Sequence, residues 1–258
     1  MTRRTLWWRA AVGALALLLA GCATQRPVVV PMASVTLPAS AQQVSTTLIV
    51  FMPGVQELPQ DIVREGFVDQ VRARGIDADV VVVDAHLGYF TNGVFEQRLR
   101  EDIVLPARAR GYRSVWLAGI SLGGFGALHY ARAFPGDIDG VIALAPYIAP
   151  RLDLQEVWHA GGLLRWQPAE PPKPSQHERA LLLWLKGYAD PALHRPPLTI
   201  GYGDRDGLQP FTPLMASILP PERLLSAPGG HDWAPWKALW GQALDRVPLG
   251  VSKAPALR

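Results

Sequence analysis

The chain has 258 residues, 49% of them hydrophobic, which is enough for one large domain with a sizeable core. It carries 25 basic and 22 acidic residues, but three of the basic residues and none of the acidic ones lie within residues 1–21. The rest of the chain therefore has 22 residues of each sign. This balance argues against a nucleic-acid-binding protein and predicts no nucleic-acid partner.

The first 22 residues have the pattern of a bacterial export signal. Three arginines accompany an apolar run, Ala10 to Ala20, that is too short to span a bilayer comfortably. The sequence Leu19-Ala20-Gly21-Cys22 is similar to the lipobox of bacterial lipoproteins, and Cys22 is the only cysteine. We therefore predict a signal peptide over residues 1–21 and lipidation of Cys22. In the lipoproteins that this segment resembles, an alanine such as Ala23 after the cysteine implies a location in the cell envelope, at the outer membrane and facing the periplasm.

The proline-containing stretch at residues 22–43 is predicted to be a tether between the lipid anchor and a globular domain. Its β-branched segments, Val28–Val30 or Val35–Leu37, offer the alternative of an added edge strand. The globular domain is predicted over residues 44–246, followed by a tail at residues 247–258.

From residue 47 onward, apolar strands alternate with amphipathic helices. The predicted strands are Thr47–Met52, Asp79–Val83, Val115–Ala118, Val141–Leu144, Leu198–Gly201 and Arg223–Ala227. The predicted helices are Gln60–Arg74, Val94–Arg110, Leu122–Phe134, Glu178–Tyr188 and Trp233–Asp245. This alternation predicts an α/β fold, with a mostly parallel sheet of six to eight strands and helices on both faces.

His86 follows the predicted strand Asp79–Val83, at the edge of a parallel sheet where ligands bind. It is a candidate for contact with a substrate, and the alternative is a role in fixing its loop.

A serine lies among glycines immediately after the predicted strand Val115–Ala118. In Gly119-Ile120-Ser121-Leu122-Gly123, a sharp turn from strand to helix would strain the backbone at Ser121, and the two glycines would let strand and helix approach closely. Leu122 would be the first residue of the helix, so its N–H would have no partner within the helix and would point to where an oxyanion forms. This pattern predicts that Ser121 is a nucleophile. The alternative is a serine that caps the helix.

A proline-rich insertion at about residues 148–196 separates two core strands. An insertion of this length is predicted to form a small cap over the carboxyl ends of the strands. Trp158 and Trp166 are candidates for lining a substrate pocket there, and the alternative is that they form the core of the cap itself.

Partners for the serine follow in the chain order acid, then histidine. Asp204 and Asp206 both follow the strand Leu198–Gly201, and His231 precedes the last helix. A buried carboxylate next to an imidazole holds the ring in its working tautomer. A second oxyanion donor is predicted at Val55, whose N–H can turn inward because Gly54 precedes it.

The segments at residues 119–128 and 229–233 resemble the α/β-hydrolase superfamily, in particular the esterase branch that includes esterase D and enterochelin esterase proteins. The resemblance covers roughly residues 47–245, implies the α/β-hydrolase fold, and extends to proteobacterial α/β-hydrolase lipoproteins. Its usual G-x-x-D pattern, counted from Gly203, favours Asp206 as the acid with Asp204 in reserve. The chain departs from the family at Pro53-Gly54, where His-Gly is more common.

These features predict a serine hydrolase that cleaves a small-molecule or lipid ester through an acyl-enzyme intermediate. No cofactor is expected, and no sequence motif indicates a metal site. Two alternatives remain open. One is a catalytically inactive binding or envelope lipoprotein on a hydrolase fold. The other is a thioesterase, lipase or acyltransferase that uses the same residues.

Overall fold

The computed structural model describes residues 26–39, 45–207 and 212–249. The predicted signal peptide, its lipidation site Cys22 and most of the predicted C-terminal tail lie outside the described residues. Within the described residues, no helix is both long enough and apolar enough to cross a bilayer.

In the part of the chain that the structure describes, seven strands form a single sheet in the order β1-β3-β2-β4-β5-β6-β7. They are β1 (Ser34–Leu37), β2 (Thr47–Met52), β3 (Asp79–Val83), β4 (Ser114–Ile120), β5 (Gly140–Leu144), β6 (Leu198–Gly203) and β7 (Leu224–Ala227). All neighbouring pairs are parallel except β1 with β3. The predicted α/β class, the mostly parallel pairing and the number of strands are confirmed.

The antiparallel edge strand β1 corrects the prediction of a tether over the whole of residues 22–43. Val35 lies opposite Val82, and Leu37 lies opposite Val80. Just before the strand, Met32 is 3% exposed, and its N–H donates to the carboxylate of Asp102 at 2.8 Å. The alternative of an added edge strand is therefore the one that the structure shows, and this part of the segment packs on the domain.

Successive side chains along the strands point alternately into two separate hydrophobic cores. Leu48, Val50 and Met52 of β2 face one core, and Ile49 and Phe51 face the other. Because both faces are covered, β2, β3 and β5 are buried along their whole length, as the unbroken apolar runs predict.

Ten α-helices are present among the described residues. They are α1 (Pro59–Arg64), α2 (Phe67–Ala73), α3 (Leu87–Thr91), α4 (Phe95–Leu99), α5 (Leu105–Ala109), α6 (Leu122–Ala133), α7 (Arg151–His159), α8 (His177–Lys186), α9 (Thr212–Met215) and α10 (Trp233–Arg246). Helices α1, α2 and α10 cover one face of the sheet, and α4, α5 and α6 cover the other. Helices α7 and α8 lie within the predicted cap insertion, and α8 packs against α6.

Two helices that the sequence predicts as continuous are interrupted. Gly66, with φ of +83°, separates α1 from α2. Between α4 and α5 the helix widens into a π-helical segment, Arg100–Val104, just ahead of Pro106. Proline has no N–H to continue the helical ladder and its ring crowds the preceding turn, so a wider turn relieves the conflict.

Candidate active site

Ser121 lies at a sharp turn between β4 and α6, with φ of +53° and ψ of −113°. This conformation is strained for a residue with a side chain. Neighbouring backbone groups hold it: the Ser121 N–H donates to the Leu144 carbonyl at 2.9 Å, and the Ser121 carbonyl accepts from the Tyr147 N–H at 3.1 Å. The strained turn that the sequence predicts at this serine is therefore present.

The two glycines that flank Ser121 allow close backbone contacts. A Cβ at Gly119 would lie 2.3 Å from the backbone of Gly123, and a Cβ at Gly123 would lie 2.1 Å from the Met52 carbonyl oxygen. These neighbours are backbone atoms and cannot rotate away. Glycine at both positions is therefore what lets strand β4, helix α6 and the end of β2 meet.

Substitution of Gly123 by alanine is expected to lower the free energy of unfolding by about 3 kcal/mol, since an overpacked methyl group must displace backbone. Gly136→Ala is the matched control, because a Cβ there meets nothing within 4 Å. Urea denaturation followed by circular dichroism would compare the two variants. Equal stability of both would contradict this account of the turn.

Asp206 and His231 meet beyond the carboxyl ends of β6 and β7. Nδ1 of His231 lies 2.8 Å from Oδ2 of Asp206. The Asp206 side chain is 1% exposed and that of His231 is 30% exposed. A buried carboxylate thus holds one ring nitrogen of a half-buried imidazole, which leaves Nε2 as the nitrogen that can exchange a proton with another group.

Asp204 has a different role from Asp206. Its Oδ1 accepts a hydrogen bond from the Gly229 N–H at 2.8 Å, and its side chain is 55% exposed. Asp204 therefore ties the loop after β6 to the loop that carries His231. Of the two candidate acids, Asp206 is the one in contact with the histidine.

Packing also fixes the orientation of the His231 ring. The ring lies edge-to-face with Trp236 of α10, with centroids 5.0 Å apart and planes at 87°. Asp232 caps α10 by accepting from the Ala234 N–H at 3.1 Å, in the helix-start role that its position predicts. The imidazole is thus held between a carboxylate and an indole.

The two predicted oxyanion donors lie on segments that border Ser121. Leu122 is the first residue of α6, so its N–H has no acceptor within the helix. A Cβ built on Gly54 would lie 3.6 Å from the Ser121 Cβ, which places the loop after β2 beside the serine. Val55 follows in that loop, with its side chain 48% exposed. The role of its N–H stays a prediction.

A cavity of about 280 Å³ opens beside this turn. Most of its apolar wall comes from Leu87, Phe90, Phe95, Leu122, Phe125 and Tyr147, and its polar lining includes Glu96, His129, His177 and Glu178. Ala145, with φ of +45°, bends the chain after β5 so that Tyr147 reaches this cavity. The space suits an apolar group attached to a carbonyl held at Ser121.

The residues of this arrangement lie within a match to a known protein family. The model of the Esterase family matches residues 104–246, which is more than half of the chain and includes Ser121, Asp206 and His231. The chain belongs to the Esterase family. It is a serine ester hydrolase with the α/β-hydrolase fold. No curated protein matches the sequence.

Solved structures share the fold of this esterase at low sequence identity. An S-formylglutathione hydrolase from Staphylococcus aureus is 18% identical, with a TM-score of 0.55 over 78% of this chain and 80% of its own. Est1E from Butyrivibrio proteoclasticus is 16% identical, with a TM-score of 0.57 over 82% of this chain and 90% of its own. A ferulic acid esterase is 18% identical, with a TM-score of 0.55 over 82% of this chain and 89% of its own.

The structure gives the two tryptophans of the cap other roles than the predicted contact with substrate. Trp166 is 1% exposed, its indole N–H donates to Glu156 at 3.0 Å, and the guanidinium of Arg179 lies 5.2 Å from the centre of its ring. Trp158 is 58% exposed on α7. Neither lines the cavity of the esterase. Trp166 belongs to the core of the cap, the alternative that the sequence left open.

His86 fixes its own loop, so the predicted substrate contact is corrected here as well. Its Nδ1 accepts a hydrogen bond from the Gly88 N–H at 3.1 Å and so caps α3. The residue is 6% exposed, and burial, together with the charge of Arg26, lowers the pKa of the imidazole. The buried His86 ring thus caps and orients α3, and α3 places Phe90 in the wall of the cavity.

Apart from Leu122, the residues that line the cavity of the esterase were not predicted from the sequence. Leu122, Phe125 and His129 follow one another on a single face of α6 at helical spacing, a pattern visible in the sequence. Glu96 and Tyr147 reach the same space from distant segments, and no local pattern marks them. Among the described residues, no group of three or more His, Cys, Asp and Glu side chains is arranged to hold a metal ion.

Proposed function

We propose that this esterase hydrolyses carboxylic esters through a triad of Ser121, His231 and Asp206. The observation that supports this most is the 2.8 Å contact between His231 Nδ1 and the buried carboxylate of Asp206. Ser121 lies in its strained turn at the same edge of the sheet, at the carboxyl end of a parallel strand. Nucleophile, acid and base follow in the chain order of the α/β-hydrolases.

In this proposal, the Ser121 hydroxyl attacks the ester carbonyl while His231 Nε2 removes its proton. The negative charge on the former carbonyl oxygen is stabilised by the N–H groups of Leu122 and Val55. The imidazolium, held by Asp206, then protonates the departing alcohol, and an acyl-enzyme remains on Ser121. Water activated by His231 releases the acid and restores the serine. Every step uses groups of this chain, and no cofactor is needed.

Hydrolysis of 4-nitrophenyl esters tests the reaction. We expect a burst of nitrophenolate that approaches one equivalent of enzyme, followed by slower turnover, whenever release of the acyl group is the slower step. A linear series of acyl chains would define the preferred length, and a matched thioester would compare the leaving groups. Absence of hydrolysis across the whole series would favour a binding protein on a hydrolase fold.

We further propose that the esterase is anchored in the bacterial envelope through lipidated Cys22, at the outer membrane and facing the periplasm. The lipobox-like Leu19–Cys22 and the basic, apolar segment before it support this. The domain begins to pack soon afterwards, at Met32 and β1. The active site would therefore lie within a short distance of the membrane, where a small-molecule or lipid ester can reach it.

Substitution of Cys22 by alanine is expected to remove the lipid and shift the protein from the membrane fraction to the soluble fraction. Labelling with an alkyne palmitate and fractionation of cells would measure both effects. Ala23→Asp is the matched variant: it should keep the lipid and move the protein toward the inner membrane. Wild-type protein without a lipid label would refute the anchor and leave the esterase proposal standing.

A further inference from the structure

The cavity is lined by the apolar Leu122 at the start of α6 and by the polar His129 two turns farther along the same helix. At a rise of 1.5 Å per residue, these two positions are about 10 Å apart along the helix axis. A substituent that extends from the ester carbonyl through the cavity therefore meets His129 only if it is about this long.

His129 is an unusual residue for the wall of an apolar pocket. It is 3% exposed, and its ring packs against Phe125 with centroids 4.2 Å apart. Its Nδ1 lies 3.2 Å from Oε1 of Glu96, whereas its Nε2 is buried and has no hydrogen-bond partner among the residues that the structure describes. A buried polar atom is rarely left in this state, because an unmade hydrogen bond destabilises the fold.

Glu96 determines which kind of group Nε2 can bind. Burial alone would raise the pKa of Glu96, but hydrogen bonds from His129 and from its own backbone, together with the nearby imidazoles, lower it. The Glu96 carboxylate accepts a hydrogen bond, so a proton of the His129 ring lies on Nδ1. In the tautomer with this single proton, Nε2 carries the lone pair and can only accept. The partner that this tautomer lacks is a hydrogen-bond donor.

The charges around the cavity exclude an anionic partner. The lining residues include Glu96 and Glu178 but no lysine or arginine. Burial and then the charges of Glu178 and Asp153 raise the pKa of Tyr147, which lies on the same wall. A carboxylate at the far end of a substrate would therefore be repelled, whereas a neutral hydroxyl would not.

We propose that this cavity selects esters in which one substituent, about 10 Å long and apolar along its length, ends in a hydroxyl group that donates to His129 Nε2. Glu96 is a positioning residue that sets the tautomer of His129. The exposed His177 ring lies 6.0 Å from that of His129. This specificity rests on the proposed esterase function and adds a substrate class to it.

Matched eight-carbon esters test the specificity. The acyl series is 4-nitrophenyl octanoate, 8-hydroxyoctanoate and 8-methoxyoctanoate, and the alcohol series is octyl, 8-hydroxyoctyl and 8-methoxyoctyl acetate. In one of the two series, the hydroxyl is expected to raise kcat/KM about ten-fold over the unsubstituted ester. The methoxy ester, which cannot donate, should behave like the unsubstituted one.

Variants at His129 assign the preference to its Nε2. His129→Phe should remove the preference, so that hydroxy and unsubstituted esters reach equal kcat/KM, and far-UV circular dichroism would show that the variant folds. His129→Gln retains an acceptor and should keep part of the preference. Equal kcat/KM for hydroxy and unsubstituted esters in both series, or a preference that survives in His129→Phe, would overturn the proposal. In either case, hydrolysis of the octanoate ester that depends on Ser121 would still support the esterase function. If the wild-type protein did not hydrolyse this ester, both the esterase function and the specificity would be refuted.

Discussion

Substitution of Ser121 by alanine is expected to lower kcat for a 4-nitrophenyl ester by at least about 10⁴-fold, because it removes the atom that forms the acyl-enzyme. Any residual rate would come from binding and from the oxyanion donors alone. The fold should be retained, since alanine is smaller than serine and the backbone contacts of the turn are unchanged. Steady-state hydrolysis together with a thermal melt would measure both properties.

Ser226→Ala provides the matched control for Ser121. Ser226 is an exposed serine on β7, and its carbonyl oxygen, which survives the substitution, accepts from Gln242 at 3.0 Å. This variant should hydrolyse the ester at the wild-type rate. Comparable activity in both alanine variants would mean that another group performs the reaction.

Substitution of Asp206 by asparagine is expected to lower kcat by about 10³- to 10⁴-fold with little change in KM. The amide keeps the shape of the carboxylate but removes the charge that stabilises the imidazolium, and it favours the wrong tautomer of His231. A stopped-flow comparison of acylation rates would show whether the loss lies in the chemical step.

Asp204→Asn separates this electrostatic effect from a disturbance of the loop. Asp204 lies two residues away and contacts the Gly229 N–H, not the imidazole. Its asparagine variant should keep kcat within about three-fold of wild type, since an amide oxygen can still accept from that N–H. If Asp204→Asn were the more damaging substitution, the choice of Asp206 as the acid would be wrong.

The architecture of the sheet could be predicted because its signals are local. The valine run at Asp79–Val83 and the apolar run at Thr47–Met52 became strands with the predicted bounds. The strand, glycine and serine pattern around Ser121 likewise predicts the turn, because the flanking glycines let strand and helix approach closely. Periodicity also located α6 and α10 to within a residue or two.

Features that depend on distant contacts could not be predicted in the same way. The edge strand β1 has an antiparallel partner in β3, and its own sequence is equally suited to an extended linker. The break at Gly66 and the π-helical segment before Pro106 lie inside stretches whose apolar periodicity continues without interruption. A hydrophobic period reports which face of a segment is buried, and it is insensitive to a short local break.

The walls of the cavity illustrate the same limit at the level of the site. The size of Trp158 and Trp166 and the position of His86 after a strand predict contact with a substrate. Trp158 instead faces solvent, Trp166 lies in the core of the cap, and His86 caps α3. Glu96 and His129 are 33 residues apart, and only their approach in the fold shows that they form a pair. The sequence shows which residues are of a type suited to a pocket, but only the tertiary packing shows which of them line it.

The central claim, that Ser121 is a nucleophile activated by His231, is tested most directly by labelling with a fluorophosphonate probe and mapping the adduct by peptide mass spectrometry. We predict a single adduct on Ser121 in wild-type protein, and a rate of labelling at least about 100-fold lower in His231→Ala. An adduct on a different residue, or equal labelling rates in the two proteins, would contradict the account.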